Sequence, residues 1–188
     1  MVKVGNISNL SDARYCSGMG VDMLGFTVIE GQDMYIDPAL YQQLRGWIAG
    51  PSIVVELYGI NESSKLSEVI SNYLPDYLEL NAGEILFLPS DITVPLIVTV
   101  NNKTDLNNLK STEQKIAYVQ VKDVDRNMIH DLAKDFPVIL SLKSDKDVDA
   151  ILKDFPVTGI ALYGSPELRP GYKEYGDLSE VLEKLEDI

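Results

Sequence analysis

The run Ile53-Val-Val-Glu-Leu-Tyr58 is followed by an amphipathic stretch, Ser63–Tyr73, and then by a second apolar run, Tyr77-Leu-Glu-Leu80. The outer two segments have the length and the aliphatic content of buried strands, whereas apolar residues in the middle stretch recur every three or four positions, as on one face of a helix. Two strands joined by a helix form a βαβ unit, which places both strands parallel in one sheet. This stretch therefore predicts an α/β fold built on a parallel sheet.

The same unit repeats along the whole chain. Eight apolar runs are predicted as strands: Val2–Val4, Met23–Val28, Ile53–Tyr58, Tyr77–Leu80, Val94–Val100, Ile116–Val121, Val138–Leu142 and Gly159–Tyr163. Seven stretches are predicted as helices: Ser11–Met19, Pro38–Ile48, Ser63–Tyr73, Asp105–Leu109, Asp125–Lys134, Asp145–Lys153 and Leu178–Leu185. The connection Asn81–Thr93 has the weakest helical pattern, Asp37 is the predicted N-cap before Pro38, and Ser11 or Asp12 is the predicted cap of the first helix.

Eight strands, each followed by a connection to the next, predict a closed (β/α)₈ TIM barrel. We expect one small domain over residues 1–188 with shortened loops, because about 200 to 250 residues is usual for this fold. A doubly wound open sheet is the alternative, since periodicity does not distinguish an open sheet from a closed one.

The composition excludes several classes of function. With 16 Lys and Arg residues against 29 Asp and Glu residues, the net charge is −13, which disfavours nucleic acid and anionic membranes as partners. The single cysteine and single histidine exclude an intrachain disulfide and a Cys/His zinc site. No apolar run is long enough to span a membrane and no signal-peptide pattern is present, so we expect a soluble cytoplasmic protein without a metal or an organic cofactor.

Polar residues at the predicted strand ends are the candidates for a functional site. In a barrel these positions meet on one face, where the chemistry of the fold is normally found. They are Asn6, Glu56, Glu79, Asn81, Asn101, Lys122, Asp123, Lys143, Gly164 and Ser165. Cys16 and His130 fall within predicted helices. Cys16 is expected to pack as a small apolar residue, and His130 is not expected to be catalytic because it lies on a helix and not at a strand end.

Four segments carry a resemblance to a known family. They are Lys3-Val-Gly-Asn-Ile-Ser-Asn-Leu-Ser-Asp-Ala13, Gly20-Val-Asp-Met-Leu-Gly-Phe26, Met34-Tyr-Ile-Asp-Pro38 and Gly164-Ser-Pro-Glu-Leu-Arg-Pro-Gly-Tyr-Lys-Glu174. In order and spacing they resemble the phosphoribosylanthranilate isomerases, most closely over residues 2–40 and 137–175. The resemblance implies a (β/α)₈ barrel and an ancestry in tryptophan biosynthesis. It implies an aldose to ketose isomerisation in which the ribose of a phosphoribosyl-anthranilate opens by an Amadori rearrangement.

The departures from this family fall on its chemistry. Gly5 stands at the position of the general-base cysteine, Met34 at that of the loop arginine beside the anthranilate, and Asn81 at that of a histidine after the fourth strand. Asp123 lies near the place of the general-acid aspartate but out of register, and the phosphate-binding Gly-Gly-Thr-Gly loop is missing. Because a positioned acid or base each contributes about 10² to 10⁴ in rate, the resemblance predicts a barrel that has lost the isomerase reaction.

Binding of a small phosphorylated anion is the activity we expect to survive. Its candidate ligands are Lys3, Asn6, Lys143, Gly164 and Ser165. A functional isomerase that uses substitute carboxylates, from among Glu56, Glu79 and Asp123, is the main alternative. A protein-interaction module using Tyr172–Tyr175 and a new enzyme on the old barrel are further alternatives. We expect a monomer or a homodimer.

Overall fold

Eight parallel strands close into one barrel. The computed structural model describes residues 1–122, 126–142, 148–166 and 176–186. The strands are β1 (Val2–Gly5), β2 (Met23–Thr27), β3 (Ser52–Glu56), β4 (Tyr77–Asn81), β5 (Leu96–Val100), β6 (Ile116–Val121), β7 (Val138–Ser141) and β8 (Gly159–Tyr163). Each strand pairs with its neighbour in chain order, and β1 closes the ring against β8, from Val2 opposite Ile160 to Gly5 opposite Tyr163.

Helices connect the strands around the outside of the ring. They are α1 (Leu10–Gly18), α2 (Pro38–Arg45), α3 (Leu66–Tyr73), α4 (Lys103–Ser111), α5 (Arg126–Leu132), α6 (Val148–Asp154) and α7 (Gly176–Glu186). Between β4 and β5 the chain forms a 3₁₀ helix, Ala82–Phe87, where the sequence has its weakest helical pattern. No helix among the described residues is long and apolar enough to cross a membrane.

The predicted (β/α)₈ barrel is confirmed, and the open-sheet alternative is wrong. All eight predicted strands are present, and their observed ends lie within two residues of the predicted ones. The single domain over residues 1–188 stays a prediction.

The two predicted helix caps have different outcomes. The side chain of Asp37 accepts hydrogen bonds from Ala39 N at 2.8 Å and Leu40 N at 3.0 Å, which confirms it as the cap of α2. The prediction of Ser11 or Asp12 as the cap of α1 is wrong. Asn9 has the extended backbone of a cap, and its side chain accepts from Asp12 N at 2.9 Å.

The barrel interior has an apolar part and a polar part. Met23, Val54, Ile97, Ile139 and Ala161 form a buried cluster separate from the main core, which lies between strands and helices. Partners in a parallel sheet share a face, and Lys3 is paired with both Met23 and Ala161. Lys3 therefore lies on the same face of the sheet as this apolar cluster. Towards the carboxyl ends of the strands, that face carries polar residues.

Candidate functional site

A buried ion cluster of one lysine and two glutamates lies inside the barrel. Lys3 Nζ is 2.5 Å from Glu79 Oε2 and 3.4 Å from Glu56 Oε1, and all three side chains have zero exposure. They come from β1, β3 and β4, and Glu56 and Glu79 are register partners. Burial lowers the pKa of Lys3, but the carboxylates of Glu79 and Glu56 outweigh it and raise the pKa above its usual range. Lys3 is therefore a permanent cation at the centre of the barrel.

The carboxylate of Glu56 is held on both oxygens. Oε2 accepts hydrogen bonds from Thr27 Oγ1 at 3.0 Å and from Asn6 N at 3.2 Å, while Oε1 faces Lys3. Burial raises the pKa of Glu56 above its usual value, and the charge of Lys3 opposes this effect. Two neutral donors and one shared cation thus stabilise a carboxyl group that has been removed from water.

Two glycines make room for this carboxylate. A Cβ atom at Gly5 would clash with Glu56 Oε1 and would lie 3.1 Å from a ring carbon of Tyr163. A Cβ atom at Gly25 would clash with the same oxygen and would lie 2.8 Å from the carboxyl carbon of Glu56. Glu56 therefore occupies the volume that a side chain at position 5 would need.

Glu79 is the centre of a second group of polar side chains. Its Oε1 accepts hydrogen bonds from the hydroxyl of Tyr58 and from Gln120 Nε2, the latter at 2.8 Å. The Tyr58 hydroxyl also lies 2.9 Å from Thr99 Oγ1. Burial and the nearby charge of Glu79 raise the pKa of Tyr58 well above its usual value, so this phenol stays protonated.

Gln120 extends the hydrogen-bonded group to β7 and β8. Its Nε2 lies 2.9 Å from the hydroxyl of Tyr163, and that hydroxyl is 3.2 Å from Ser141 Oγ. The Oε1 atom of Gln120 is buried and accepts no hydrogen bond from the part of the chain that the structure describes. Through side chains alone, this group joins strands β4 to β8 with Tyr58, which lies two residues beyond the end of β3.

Lys122, one residue beyond β6, lies over this hydrogen-bonded group. Its Nζ is 4.9 Å from the ring centre of Tyr58 and 4.7 Å from that of Tyr163, distances at which an ammonium group is attracted to an aromatic face. Lys122 and both rings are half-buried. No carboxylate forms an ion pair with Lys122 within residues 1–122, 126–142, 148–166 and 176–186.

The structure brings together only some of the candidate residues. Glu56, Glu79, Lys3 and Lys122 meet in the barrel interior or at its opening, with Asn6 beside them. Asn6 has a left-handed backbone, with φ of 57°, and its Oδ1 is 3.4 Å from Thr27 Oγ1. Asp123, Lys143 and the segment 172–175 lie outside the described residues.

The other candidates have structural partners or are exposed. The backbone N–H of Gly164 donates to Gly5 O at 2.8 Å, whereas Ser165 is exposed after β8. Asn81 N donates to Glu84 Oε2 at 2.7 Å, and Asn101 N donates to Asp105 Oδ2 at 2.8 Å, so both belong to helix-start hydrogen bonding.

Five polar residues of this network were missed by the sequence reasoning. They are Thr27, Tyr58, Thr99, Gln120 and Tyr163, and Ser141 at the edge of the network is a sixth. Side chains of a strand alternate between its two faces, so counting in twos from Glu56 reaches Tyr58, and counting back from Lys122 reaches Gln120. That alternation is the signal in the sequence that could have identified these two residues.

Other features lie apart from the network. A cavity of about 520 Å³ lies between the loops after β2 and β3, with Ile29, Ile60 and Val69 in its wall.

Cys16 is buried in α1, as expected, and His130 lies on α5 beside Phe155. Within the described ranges, no group of three or more His, Cys, Asp or Glu side chains is placed to hold a metal ion.

Comparison with known proteins identifies the fold. No family model matches the chain, and no curated protein matches it. Among solved structures, monomers generated from the dimeric phosphoribosylanthranilate isomerase of Thermotoga maritima are 21% identical at a TM-score of 0.75, covering 100% of this chain and 98% of that one. The Pyrococcus furiosus isomerase is 17% identical at a TM-score of 0.73, covering 100% and 99%.

A third structure is that of a phosphoribosylanthranilate isomerase in complex with reduced 1-(o-carboxyphenylamino)-1-deoxyribulose 5-phosphate. It is 18% identical at a TM-score of 0.76, covering 100% of this chain and 98% of that one. At these identities the likeness establishes the fold. The chain therefore has the (β/α)₈ fold of the phosphoribosylanthranilate isomerases, over nearly the full length of those proteins.

Proposed function

We propose that this barrel has lost the isomerase reaction and binds a small phosphorylated anion at the carboxyl ends of its strands. The observation that carries the first part is the position of Glu56. Its carboxylate lies where a side chain at position 5 would extend, and it is paired there with Lys3. A general base must reach a proton of the substrate, and this carboxylate has zero exposure.

The second part rests on charge at the barrel opening and on the shared fold. Lys122 lies at this opening without a carboxylate partner in the described ranges. A protein of the same fold holds a phosphorylated ligand. Two of the predicted anion ligands already have partners in the protein: Lys3 is paired with two carboxylates, and the N–H of Gly164 donates to Gly5 O. Ser165, in contrast, is exposed. Assembly as a monomer or homodimer stays a prediction.

A working isomerase with substitute groups is the second candidate, and one observation favours it. Glu56 lies beside Gly5, the position at which the family resemblance expects the base, and burial raises its pKa towards the range of a base that acts near neutral pH. In this alternative, Glu56 would take the proton once substrate binding had opened the barrel above it.

A direct assay separates the two candidates. Freshly generated phosphoribosylanthranilate is added to the purified protein, and the loss of its fluorescence is compared with a buffer blank. Glu56→Gln removes the candidate base, and Gly5→Cys/Glu56→Ala places a thiol at position 5 without the overlap with Glu56 Oε1 that Gly5→Cys alone would create. Glu113→Gln, at an exposed position, is the matched control for loss of a carboxylate.

We expect no turnover above the blank from folded wild-type protein. Turnover that persists in Glu113→Gln but disappears in Glu56→Gln would establish the second candidate instead. Inorganic phosphate at constant ionic strength should raise the melting temperature of the wild-type protein. Failure to do so would contradict the anion-binding part of the proposal.

A further inference from the structure

Lys122 is the candidate for contact with an anion at the barrel opening. Lys3, the other cation of the interior, has zero exposure and lies 2.5 Å from Glu79 and 3.4 Å from Glu56, so a ligand could reach it only by displacing these carboxylates. Lys122 is half-buried and lies against two ring faces, and no carboxylate of the described residues forms an ion pair with it. Its ammonium group therefore keeps hydrogen-bond donors for a ligand.

The position of Lys122 is defined by a series of contacts that reaches the buried ion cluster. Tyr58 and Tyr163 present their faces to the ammonium group, and their hydroxyls are fixed below by Glu79 and Gln120. A lysine side chain normally loses several rotatable bonds of freedom when it binds a ligand. Here two aromatic faces restrict it before the ligand arrives, which reduces that cost.

We propose that Lys122, held on the faces of Tyr58 and Tyr163, binds the phosphate group of a phosphate monoester. This inference rests on the anion-binding part of the proposed function and assigns its main contact. A phosphate monoester carries a charge of about −1.5 to −2 at pH 7, whereas a carboxylate carries −1. The attraction between the Lys122 ammonium group and an anion in contact with it grows with the charge of the anion, so phosphate is the better ligand for this lysine. The net charge of −13 repels both anions at long range, and the contact with Lys122 must outweigh that repulsion.

Calorimetric titration at constant ionic strength tests the assignment. The titrants are inorganic phosphate, ribose 5-phosphate, ribose and acetate, and the proteins are wild type and Lys122→Met. Lys115→Met is the matched control, because Lys115 is exposed immediately before β6, at the opposite end of the barrel, and its loss changes the net charge equally. Thermal unfolding without ligand establishes that each variant is folded.

We expect wild type and Lys115→Met to bind phosphate and ribose 5-phosphate alike. Lys122→Met should bind both at least about tenfold more weakly, because a hydrogen bond to a charged group is lost. Equal binding by Lys122→Met and wild type would overturn the assignment but leave the proposed function in place. Absence of phosphate binding by wild type would overturn both, and acetate bound as tightly as phosphate would overturn the ligand class.

The aromatic faces have a separate test. Tyr163→Phe keeps the ring over which Lys122 lies, whereas Tyr163→Leu removes it. We expect phosphate affinity to be retained in Tyr163→Phe and reduced in Tyr163→Leu. Equal affinity in the two variants would show that the rings do not hold the ammonium group for the ligand.

Discussion

At the scale of single residues, the absence of a side chain at position 5 is compensated by a carboxylate from another strand. Glu56 fills the space beside Gly5 and Gly25, and Lys3 balances its charge. Without glycine at both positions the carboxylate could not lie there. The position at which the family resemblance expects the base thus becomes part of the core of this barrel.

Gly5→Ala should destabilise the protein by about 1 to 3 kcal/mol, because the new Cβ would overlap Glu56 Oε1. In the Glu56→Ala background, where Lys3 remains paired with Glu79, the same substitution should cost less. Urea unfolding of the four proteins gives the coupling free energy. Gly46→Ala is the control, since nothing lies within 4 Å of a Cβ there. Equal costs of Gly5→Ala in both backgrounds would contradict the packing argument.

The buried carboxyl of Glu56 should make stability depend on pH. Because burial raises its pKa above the usual value near 4.5, the folded state holds the proton more tightly than the unfolded state. The protonated carboxyl of Glu56 therefore makes its full contribution to stability below about pH 4.5. That contribution is lost as the pH rises from this value through the pKa of the folded state.

The free energy of unfolding of Glu56→Gln relative to wild type should therefore increase with pH across this window. The slope should be at most about 1.4 kcal/mol per pH unit, and urea unfolding between about pH 4 and pH 8 measures it. Glu113→Gln, an exposed carboxylate, is measured in parallel. If the difference in free energy of unfolding between Glu56→Gln and wild type stays constant with pH, the folded and unfolded states bind this proton with equal affinity.

At the scale of elements, α3 ends on a residue poorly suited to its backbone. Leu74 has φ of 46° and ψ of 59°, the left-handed conformation that glycine adopts at helix ends, and its N–H donates to Ile70 O at 2.9 Å. Its side chain is 72% exposed, so it contributes little packing to offset the strain. Left-handed backbone costs a non-glycine residue about 1 to 2 kcal/mol.

Leu74→Gly should stabilise the protein by about 0.5 to 1 kcal/mol, since relief of this strain is partly offset by the greater freedom of glycine in the unfolded chain. Leu74→Ala is the control, because alanine removes the same exposed side chain but keeps the Cβ that causes the strain. Thermal unfolding of the two variants tests whether the gain in stability comes from relief of backbone strain or from removal of an exposed apolar side chain. A similar rise in melting temperature in both variants would show that the exposed leucine side chain, and not the backbone, is the cause.

At the scale of the whole molecule, the net charge of −13 opposes compaction. The Debye length falls from about 30 Å at 0.01 M salt to about 8 Å at 0.15 M, so added salt screens this repulsion. We expect the melting temperature to rise between these two concentrations of NaCl. The rise should be smaller in Glu62→Gln/Glu113→Gln, which removes two exposed carboxylates. A melting temperature that falls with salt would show that attractive surface pairs outweigh the repulsion.

The sequence by itself determined the number, order and approximate limits of the strands, because two-residue and three-to-four-residue periodicities are local patterns. It also identified Asp37 as the cap of α2, since that cap depends on its own and the next three residues. The resemblance at both ends of the chain indicated the barrel and the loss of a side chain at position 5. The cap of α1 was misplaced because Asn9, Ser11 and Asp12 are all suitable residue types, and only the backbone distinguishes them.

The tertiary structure alone decided that the sheet closes, because pairing of β1 with β8 joins the two ends of the chain. It alone placed Lys3 between Glu56 and Glu79. Lys3 and Glu56 are 53 positions apart, and their contact depends on closure and on the register of the intervening strands. For the same reason the sequence showed a glycine at position 5 but not the carboxylate that fills its place. Contacts between distant strands follow from register and closure, and neither leaves a periodic signal in the sequence.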